Sequence, residues 1–586
     1  MSNPQAAPAA PPKYRPLTFG VTRAEVCEQP DGAQYVRAEQ ALDAHAQRMS
    51  DRLIHWAREA PDRTFIAQRE RTADGKTGDW RHVTYAQALD AARRIGQALL
   101  DRGLSQDRPV VILSDNGIDH ALLALGCLYV GVPYSPASPA YSTISKDYGK
   151  LRHVVDTLTP GLIWAEDGDR YGAAIAAVAP GGCEVAVSRH ADHAHLKGRA
   201  TTAFADLLAT EPTPAVDAAH AATGPDTIVK FLFTSGSTKL PKAVINTNRM
   251  WCANQQQMRQ SMPVLAEEPP VLIDWLPWNH TFGGNHNVGL VLNNGGTLYI
   301  DEGKPTPALM HETLRNLRDI APTLYFNVPT GFEAIANAMK QDAELRRNFL
   351  SRVKMFFYAG AALAQPVWDS LFESEEAEIG ERIVMTSGLG MTESSPYGLF
   401  VTSPNVKAGD LGLPTPGLEL KLVPIDGKLE IRYRGPNITP GYWRGPDATA
   451  EAFDDEGFFC TGDAVTWIDP QDKHQGLRFD GRIAEDFKLA TGTFVSVGPL
   501  RGRVIAGGAP YVQDVVVTGL NRKEVGALIF PTAAVRSLVD LPADAPMSEV
   551  LKQRAVLQKF QSLVTDLSLT ATGSANRVAR LMLLAD

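Results

Sequence analysis

A strand that runs into a loop of small hydroxyl-bearing residues lies near the middle of the chain, where residues 231–244 read FLFTSGSTKLPKAV. In such a loop, small residues let backbone N–H groups approach anionic oxygens, hydroxyl groups add donors, and Lys242 supplies a mobile cation. A phosphate site is therefore predicted. An ordinary polar turn is the alternative, because clusters of Ser, Thr and Gly are common in turns. The loop also does not match the G-x-x-x-x-G-K-[ST] spacing. The loop residues assigned to the phosphate site are Thr234, Ser235, Gly236, Ser237 and Thr238.

Short runs of β-branched and aromatic residues alternate with helical stretches on both sides of this loop, from about residue 50 to residue 400. Runs of this length and composition are typical of strands. Their alternation with helices predicts an α/β fold with stacked βαβ units in a large N-terminal domain. The runs are PVVILSD (109–115), VLIDWLP (271–277), TLYI (297–300), TLYFNVP (323–329), KMFFYAG (354–360) and RIVMTSG (382–388).

Beyond residue 400 the pattern changes to strands without intervening helices. Residues 418–435, LELKLVPIDGKLEIRYRG, predict a β-hairpin that turns at Asp426 and Gly427. An Asp-Gly pair favours this turn because both residues tolerate a positive φ. We therefore expect a small, antiparallel, barrel-like part at the end of the large domain.

The length of 586 residues predicts at least two domains, because one hydrophobic core rarely serves so long a chain. The polar, glycine-bounded segment 479–492 indicates a joint near residue 482. The first 15 residues are rich in Pro and Ala, can bury little surface and are expected to be flexible. The predicted parts are a flexible tail (1–15), a large domain (16–482) and a small, mobile α+β domain (483–586).

Composition argues against several classes of protein. The formal net charge of −9 supplies no overall cationic field, which disfavours nucleic-acid binding. Five cysteines lie far apart without a C-x-x-C pair, so neither a zinc site nor a disulfide framework is indicated. No charged N-terminal segment precedes an apolar core, and no apolar run is long enough to cross a bilayer. A cytoplasmic protein without membrane or nucleic-acid partners is therefore predicted.

Five further motifs follow the loop in order along the chain. Together with the loop they resemble the adenylate-forming, or AMP-binding, superfamily of acyl-CoA synthetases, luciferases and adenylation domains, over nearly the whole chain. The family's phosphate loop usually reads TSG[ST]TGxPKG, and Lys239 and Ala243 replace two of its glycines here. The five motifs are LPWNHTFGG (276–284), YAGAAL (358–363), GLGMTE (388–393), CTGD (460–463) and DGRIAEDFK (480–488).

The resemblance implies an acid–thiol ligase that uses ATP, Mg²⁺ and coenzyme A. It assigns Glu393 and Thr234 to Mg²⁺, an ion that prefers hard oxygen ligands. It implies that Asp463 accepts hydrogen bonds from the ribose hydroxyls and that Arg482 meets ribose or phosphate oxygens. The implied catalytic residues are Lys242, His280, Thr392 and Glu393, and the implied nucleotide site also includes Gly360, Ala361 and Gly390.

Structural roles are the alternatives for several of these residues. Glu393 can simply favour a helix start, and His280 can be a satisfied core histidine. Trp278 and Phe282 are as compatible with packing as with pocket lining. The small residues of YAGAAL allow either close approach of a ligand to a strand end or tight packing of strand against helix.

The joint resembles the family's hinge, about which the small domain turns between two half-reactions. Ala484 stands at the usual hinge position, where an acidic residue or lysine is common, and Glu485 or Asp486 is the expected substitute. Lys488 and Gly492 are assigned to the hinge and the coenzyme A side. This assignment rests on the resemblance alone.

A lysine that the family carries near the end of the small domain has no counterpart here. Residues 570–586 read TATGSANRVARLMLLAD, and no lysine follows Lys559. Such a cation stabilises charge between the acid and the α-phosphate, so we expect slow adenylation unless Arg577 or Arg580 replaces it. We also expect that the sequence ends before the family's lysine.

Three phrases resemble the bacterial feruloyl-CoA synthase branch and imply a hydroxycinnamate, such as ferulate, as the acid. A medium-chain fatty acid is an alternative, as is an acyl-AMP ligase that serves a carrier protein. A nucleotide-binding protein with weak catalysis is an alternative of a different class. The phrases are IDWLPWNHTFGGNHN (273–287), YIDEGKPTP (299–307) and FKLATGTFVSVGPLR (487–501).

Overall fold

The computed structural model describes residues 12–71, 76–199, 201–234, 240–360, 363–542 and 544–585. Tyr14 and Arg15, which belong to the predicted tail, contact the large domain. Tyr14 forms a β-bridge with Arg382, and Nη1 of Arg15 donates to the carbonyl oxygens of Leu350 and Val353 at 3.0 and 2.6 Å. These carbonyls end a helix and have no helical N–H partner, so the guanidinium satisfies them.

The strands are numbered in chain order, and most are short, as expected for a chain with several sheets. They are β1 (Ala24–Glu28), β2 (Gln34–Ala38), β3 (Thr64–Arg71), β4 (Thr77–Thr84), β5 (Val110–Leu113), β6 (Tyr134–Pro136), β7 (Leu162–Asp167), β8 (Glu184–Arg189), β9 (Thr201–Ala203), β10 (Ile228–Thr234), β11 (Lys242–Thr247), β12 (Val271–Asp274), β13 (Thr297–Ile300), β14 (Leu324–Asn327), β15 (Met355–Tyr358), β16 (Val384–Thr386), β17 (Gly388–Gly390), β18 (Tyr397–Phe400), β19 (Asp410–Pro414), β20 (Glu419–Ile425), β21 (Lys428–Arg434), β22 (Phe459–Trp467), β23 (Leu477–Arg482), β24 (Phe487–Lys488), β25 (Phe494–Val495), β26 (Val512–Thr518), β27 (Val525–Pro531) and β28 (Val578–Leu583).

The α-helices are numbered in the same way and concentrate between residues 49 and 379. They are α1 (Met49–Glu59), α2 (Tyr85–Asp101), α3 (Ile118–Val130), α4 (Ala140–Thr143), α5 (Gly149–Leu158), α6 (Gly168–Val178), α7 (Phe204–Leu208), α8 (Pro214–Ala222), α9 (Asn248–Ser261), α10 (Val264–Glu267), α11 (Val288–Asn294), α12 (Met310–Asp319), α13 (Pro329–Met339), α14 (Ala343–Arg352), α15 (Gln365–Ile379), α16 (Pro446–Ala452), α17 (Val497–Gly508), α18 (Met547–Val550) and α19 (Arg554–Leu569).

The helix-rich part of the chain forms sheets that are mostly parallel. One sheet has the order β11-β10-β6-β5-β7-β8-β9, in which β11 alone runs antiparallel to its neighbour. A second has the order β12-β13-β3-β4, and β14, β15 and β16 form a third, parallel sheet. Helices cover their faces, so β5 and β15 are buried at every position. The predicted α/β fold is confirmed.

Nine antiparallel strands form the sheet that follows, in the order β1-β2-β20-β21-β22-β23-β19-β18-β17. The predicted hairpin is confirmed: β20 and β21 pair, and Asp426 and Gly427 have φ values of 49° and 85°. The sheet is open, with β1 and β17 at its edges, so the part expected to be barrel-like is not closed. Its first two strands come from the start of the chain, which the local hairpin signal does not reveal.

The small domain has a core of its own, formed by apolar residues between Leu489 and Val578. Helices α17 and α19 pack on the sheet β26-β27-β28, in which β28 runs parallel to β27. In the part of the chain that the structure describes, no helix combines the length and apolar character needed to span a bilayer. The exact boundary at residue 482 stays a prediction.

A buried acidic side chain, Glu375, ties α15 to β16. Its carboxylate accepts the backbone N–H of Ile383 at 2.6 Å, and the residue has no exposed surface. Burial raises the pKa of this carboxyl from 4.5 to about 8, against the opposing effect of the Ile383 hydrogen bond. Glu375 is therefore protonated in the folded protein at neutral pH.

We predict that Glu375→Gln removes a pH dependence of stability. Because the folded-state pKa exceeds the unfolded value, the contribution of Glu375 is fully present below pH 4.5 and is lost as pH rises towards 8. The wild type should therefore lose on the order of 3–5 kcal/mol relative to the variant between pH 4.5 and 8.5. Urea unfolding at several pH values measures this difference. The exposed Glu373 of the same helix provides the control, since Glu373→Gln should change nothing. Parallel stability curves for the wild type and Glu375→Gln would contradict the assignment.

Candidate active site

Glu393, a predicted site residue, is a buried carboxylate that side chains from two distant segments surround. It stands in a single 3₁₀ turn, Thr392–Ser394, directly after β17, which is the strand-to-loop corner that the sequence indicates. The Tyr442 hydroxyl donates to Oε1 of Glu393 at 3.0 Å. Nζ of Lys242 lies 4.7 Å from the centroid of the Tyr442 ring. Two predicted catalytic residues, Lys242 and Glu393, therefore meet through Tyr442.

The charge on Glu393 is set by opposing effects. Burial raises the pKa of its carboxyl, whereas the Tyr442 hydrogen bond and the positive charges of Lys242 and Arg482 lower it. The Tyr442 pKa is raised by burial and by the neighbouring carboxylate, so the phenol stays protonated and remains a donor. Burial is the larger effect, so the pKa of the Glu393 carboxyl is raised from its ordinary value.

Backbone pairing explains how Tyr442 reaches this position. Tyr442 forms a β-bridge with Val244 of β11, and the N–H of Trp443 donates to the carbonyl of Ala243 at 2.9 Å. The N–H of Thr439 donates to the carbonyl of Glu393 at 2.8 Å. The loop around Tyr442 is thus hydrogen-bonded both to β11 and to the turn that carries Glu393. Sequence reasoning missed Tyr442, because a GYW segment far from the motifs carries no local signal.

The phosphate loop is described only at its two ends. Thr234 ends β10 and pairs in register with Lys242, the first residue of β11. The β-hairpin of β10 and β11 therefore brings Thr234, the predicted magnesium ligand, next to Lys242, the predicted cation, at the base of the loop. The remaining predicted loop residues, together with Ala361 of the nucleotide site, lie outside the described residues: Ser235, Gly236, Ser237 and Thr238.

Asp463 and Arg482 face each other on neighbouring strands. They pair in register between β22 and β23, and Nε of Arg482 lies 3.1 Å from Oδ1 of Asp463. Burial raises the pKa of Asp463, and the charge of Arg482 opposes this shift. Arg482 is 59% exposed whereas Asp463 is 5% exposed, so the arginine can move away without unfolding the strand. Both were predicted to bind the nucleotide, and here they bind each other.

Two of the predicted glycines, Gly360 and Gly390, are explained by different features of the structure. Gly360 follows β15 with a φ of 88°, a conformation that suits glycine, and it is exposed at the strand's carboxyl end. A Cβ on Gly390 would lie 1.7 Å from the carbonyl oxygen of Pro396, so no larger residue fits. For Gly390 close packing of the backbone is thus sufficient to explain the glycine. Its role towards a nucleotide stays a prediction.

His280 stands between β12 and a buried π-helix, Phe282–Asn287, that runs into α11. Its Nδ1 accepts the N–H of Phe282 at 3.2 Å, so the proton of the neutral ring is on Nε2. Although the ring has access to solvent, the surrounding protein lowers its pKa. Trp278 and Phe282 are both buried, Trp278 against the His120 ring and Phe282 against Phe357. Packing therefore accounts for these two aromatic residues.

The predicted hinge contains an ion pair between the domains. Ala484 is exposed in a 3₁₀ turn, as a hinge residue can be. Asp486, an expected substitute for the hinge acid, is instead 2% exposed and lies 2.5 Å from Nζ of Lys428 on β21. Its Oδ1 accepts the N–H of Val497 at the start of α17, at 2.8 Å. Asp486 therefore joins the large domain to the first helix of the small domain, because a buried carboxylate needs a partner.

The remaining predicted residues of the small domain lie at its surface. Lys488 is exposed on β24, and Gly492, with a φ of 81°, forms the turn between β24 and β25. Arg577 and Arg580 lie 3.5 and 2.9 Å from the carboxylate of Glu524. In the described part of the chain, neither arginine bonds to Glu393, Lys242 or Asp463, so the structure does not bring a cation from residues 570–585 into this group.

A cleft of about 750 Å³ opens beside the loop that carries His280. Trp275, Trp278 and Asn279 line one wall. Apolar, neutral polar and charged residues line the rest, and among the charged ones Arg170 and Lys304 both pair with Asp115. The cleft is large enough for a ligand of drug-like size or more.

The chain is similar to known proteins of one family. The family model described as AMP-binding enzyme matches residues 53–443. Fatty acyl-CoA synthetase A of Dictyostelium discoideum is 23% identical over 535 residues, covering 81% of this chain and 76% of the relative. 4-Coumarate–CoA ligase 3 of Oryza sativa subsp. japonica is 27% identical over 417 residues, covering 68% of this chain and 69% of the relative.

Solved structures share the fold. The crystal structure of the anthranilate CoA ligase AuaEII in complex with anthranoyl-AMP matches with a TM-score of 0.71. The alignment is 17% identical and covers 93% of this chain and 94% of that chain. At this identity the likeness shows the arrangement of a large α/β domain followed by a small domain.

We predict that Lys428→Met loosens the small domain. The substitution leaves the Asp486 carboxylate buried without its cation, a change that costs about 3–5 kcal/mol. Proteolytic cleavage within residues 483–492 should accelerate, and the midpoint of chemical unfolding of the small domain should fall. The matched control is Arg501→Met, because Arg501 and its partner Asp514 are both more than 40% exposed and their pair is worth about 1 kcal/mol or less. Equal cleavage rates for the two variants would refute this role of Lys428.

Proposed function

The chain belongs to the AMP-binding enzyme family, and from that premise we propose that it activates a carboxylic acid with ATP and passes the acyl group to coenzyme A. One observation carries the proposal: a buried Glu393 carboxylate, bonded to Tyr442, lies near the positive charges of Lys242 and Arg482. A magnesium nucleotide requires both kinds of group, hard anionic oxygen for the metal and cations for the phosphates.

The proposed reaction has two steps. In the first, a carboxylate oxygen of the acid attacks the α-phosphorus of ATP, and the bond to the bridging oxygen breaks, so pyrophosphate leaves. In the second, the sulfur of the coenzyme A thiolate attacks the acyl carbon of the mixed anhydride, and AMP leaves. Positioning and charge stabilisation supply most of the acceleration in such reactions.

The described residues fit a magnesium ion. Tyr442 donates to Oε1 of Glu393, which leaves Oε2 for a cation, and Thr234 offers a hydroxyl at the end of β10. Both are hard oxygen ligands. When bound, Mg²⁺ balances the negative charge of the phosphates. We propose that Lys242 acts on the same phosphates and that Thr392 helps to fix the turn that carries Glu393.

Asp463 is the proposed ligand of the ribose hydroxyls. Its two carboxylate oxygens match two neighbouring donors, and Arg482 favours the charged form that accepts both. Arg482 is long and exposed, which lets it turn from Asp463 towards the nucleotide.

We propose a hydroxycinnamate, such as ferulate, as the acid. Support comes from the three sequence phrases around residues 273–287, 299–307 and 487–501, and from the similarity to a relative named 4-coumarate–CoA ligase. A fatty acid is the second candidate, favoured by the similarity to a relative named fatty acyl-CoA synthetase. A hydroxycinnamate and a fatty acid differ in shape and polarity, so activity measured on both acids distinguishes the two candidates.

The proposed acceptor is coenzyme A, and the cleft beside Trp278 and Asn279 is large enough for part of it. His280 lies on the loop that borders this cleft, and its Nε2–H has no hydrogen-bond acceptor among the described residues. We further propose residue 482 as the domain boundary and residues 482–488 as the hinge between the two steps. Lys488 and Gly492 then belong to the surface that turns towards the thiol.

A panel of acids tests the proposal directly. The full chain is incubated with ATP, Mg²⁺ and each acid, with and without coenzyme A, and AMP, pyrophosphate and thioester are measured. We expect AMP and pyrophosphate in equal amounts and a thioester when coenzyme A is present. Formation of an acyl-AMP without any thioester would favour a carrier-protein ligase. Absence of acid-dependent pyrophosphate release with every acid would refute the enzyme's proposed reaction.

We predict that Asp463→Ala weakens ATP binding by about 1.5–3 kcal/mol, the loss expected for charge-assisted hydrogen bonds. The fold should survive because the partner left behind, Arg482, is solvated. Isothermal titration with ATP measures the change. Asp455→Ala is the control, since Asp455 is exposed on the turn before β22. An unaltered affinity in folded Asp463→Ala would remove Asp463 from the nucleotide site.

We also predict that Glu393→Gln slows adenylation and raises the Mg²⁺ concentration for half-maximal rate by about 10- to 100-fold. The amide oxygen still accepts the Tyr442 hydrogen bond, so the turn is retained, but the neutral group cannot balance the cation. Pyrophosphate exchange at increasing Mg²⁺ measures both effects. Tyr442→Phe provides the comparison, because it removes the hydrogen bond and keeps the charge. A normal Mg²⁺ dependence in Glu393→Gln would contradict the assignment.

A further inference from the structure

Lys230 is a lysine buried inside the seven-stranded sheet. It occupies the third position of β10, between the buried residues Val229 and Phe231, and is itself only 1% exposed. Lysine is almost never fully buried unless it is paired. Among the described residues, however, no carboxylate forms an ion pair with Lys230, and burial is the one cause that shifts its pKa. The strand thus carries an amine where an apolar side chain is expected, and this amine needs a partner of another kind.

A backbone carbonyl and two aromatic rings are the partners of the Lys230 amine. Nζ donates to the carbonyl oxygen of Gly284 at 3.1 Å, and it lies 3.6 Å from the centroid of the Trp251 ring and 5.2 Å from that of Tyr134. Burial lowers the pKa of the amine well below its ordinary value, whereas the two rings favour the charged form. The charged and the neutral amine both have an N–H for Gly284, so this hydrogen bond does not depend on the charge.

Gly284 connects Lys230 to the loop between β12 and the π-helix, residues 275–281, which we call the cleft loop. The N–H of Gly284 donates to the carbonyl of His280 at 2.9 Å. A Cβ on Gly284 would lie 2.3 Å from the carbonyl oxygen of Trp278, so the two backbones are in direct contact. Trp278 also lines the cleft. The position of Gly284 therefore fixes the part of the cleft loop that carries Trp278 and His280.

The strand that carries Lys230 also leads to the phosphate loop. β10 lies between β6 and β11, and its last residue, Thr234, pairs in register with Lys242. A strand with hydrogen-bonded neighbours on both sides is held firmly in place. Helix α9 supplies a second donor, since the indole N–H of Trp251 donates to the carbonyl of Asn285 at 2.9 Å. Side-chain donors thus join the π-helix to the elements beside the phosphate loop, and Lys230 is the donor that stands on the strand itself.

We propose that Lys230 is a positioning residue for the second step of the ligase reaction, in which it holds the Gly284 carbonyl and so fixes the cleft loop relative to the phosphate loop. The proposal rests on the ligase function above. In that step the thiol must reach the acyl carbon beside the nucleotide, so the cleft assigned to coenzyme A has to keep a constant distance from the phosphates. The residues assigned to the phosphates and the metal lie on β10, on β11 and in the turn after β17. The first step therefore depends less on the cleft loop.

Lys230→Met tests this role, because methionine is long and apolar but has no N–H. Pyrophosphate exchange measures the first step. Thioester formation from coenzyme A and a supplied acyl-AMP, made from the acid that is most active in the panel, measures the second. We expect kcat/KM for coenzyme A to fall by about 10- to 100-fold, and the exchange rate to stay within about threefold of the wild type. The matched control is Lys354→Met, since Lys354 is partly exposed, precedes β15 and pairs with Glu268. Both steps should be unchanged in this control.

Hydrogen exchange separates positioning from a folding defect and requires no activity. In Lys230→Met we expect faster exchange in residues 275–287 and unchanged exchange in α3 and β15. Unchanged exchange in residues 275–287, or a second step as fast as that of the wild type, would overturn the proposal. Equal losses in both steps with faster exchange throughout the chain would also overturn it, because they indicate a general folding defect. A wild type that releases no pyrophosphate with any acid would refute the ligase function and with it the role in the second step, whereas faster exchange in residues 275–287 would still show that Lys230 holds the cleft loop.

Discussion

Three buried carboxylates with cationic neighbours from other segments connect the candidate site to the domain joint. Glu393 lies near Lys242 and is bonded to Tyr442, Asp463 faces Arg482, and Asp486 faces Lys428. A carboxylate without such a partner in a dry environment is strongly destabilising. The constraint therefore couples the start of β11, the loop at Tyr442, the pair β22–β23 and the small domain. Charged groups of the candidate site therefore also contribute to the contacts between these segments.

Local patterns in the sequence were sufficient for much of the fold. Apolar runs at 109–115 and 354–360 became buried strands, and Asp426-Gly427 became the expected turn, because periodicity and turn residues act over a few positions. The π-helix was not predicted. Its glycines, Gly283 and Gly284, allow close contact with the backbone of residues 276–278, and such contact is set by tertiary packing.

The candidate site was predictable where a motif carries its residues and unpredictable where a partner lies far along the chain. Glu393 and Asp463 stand in recognisable motifs, whereas Tyr442 and Lys428 have no local pattern that distinguishes them. Asp486 was an expected substitute for the hinge acid, but its side chain is buried against Lys428 and connects the large domain to the small domain. Long-range pairing of this kind depends on which segments fold together, and one sequence without its structure does not reveal this.

The loop after β12 places two neutral imidazoles six residues apart with opposite polarity. His280 receives a backbone N–H at Nδ1, which leaves Nε2–H as a donor, and His286 donates from Nδ1, which leaves Nε2 as an acceptor. The pKa of each ring is lowered, that of His286 by burial and that of the more exposed His280 by the protein that surrounds it. A donor beside the cleft and an acceptor among aromatic rings therefore stand on one short segment, and the lowered pKa of each imidazole favours its neutral form. The π-helix that carries His286 lies close to the backbone of residues 276–278, because Gly283 and Gly284 have no side chain that would clash with it.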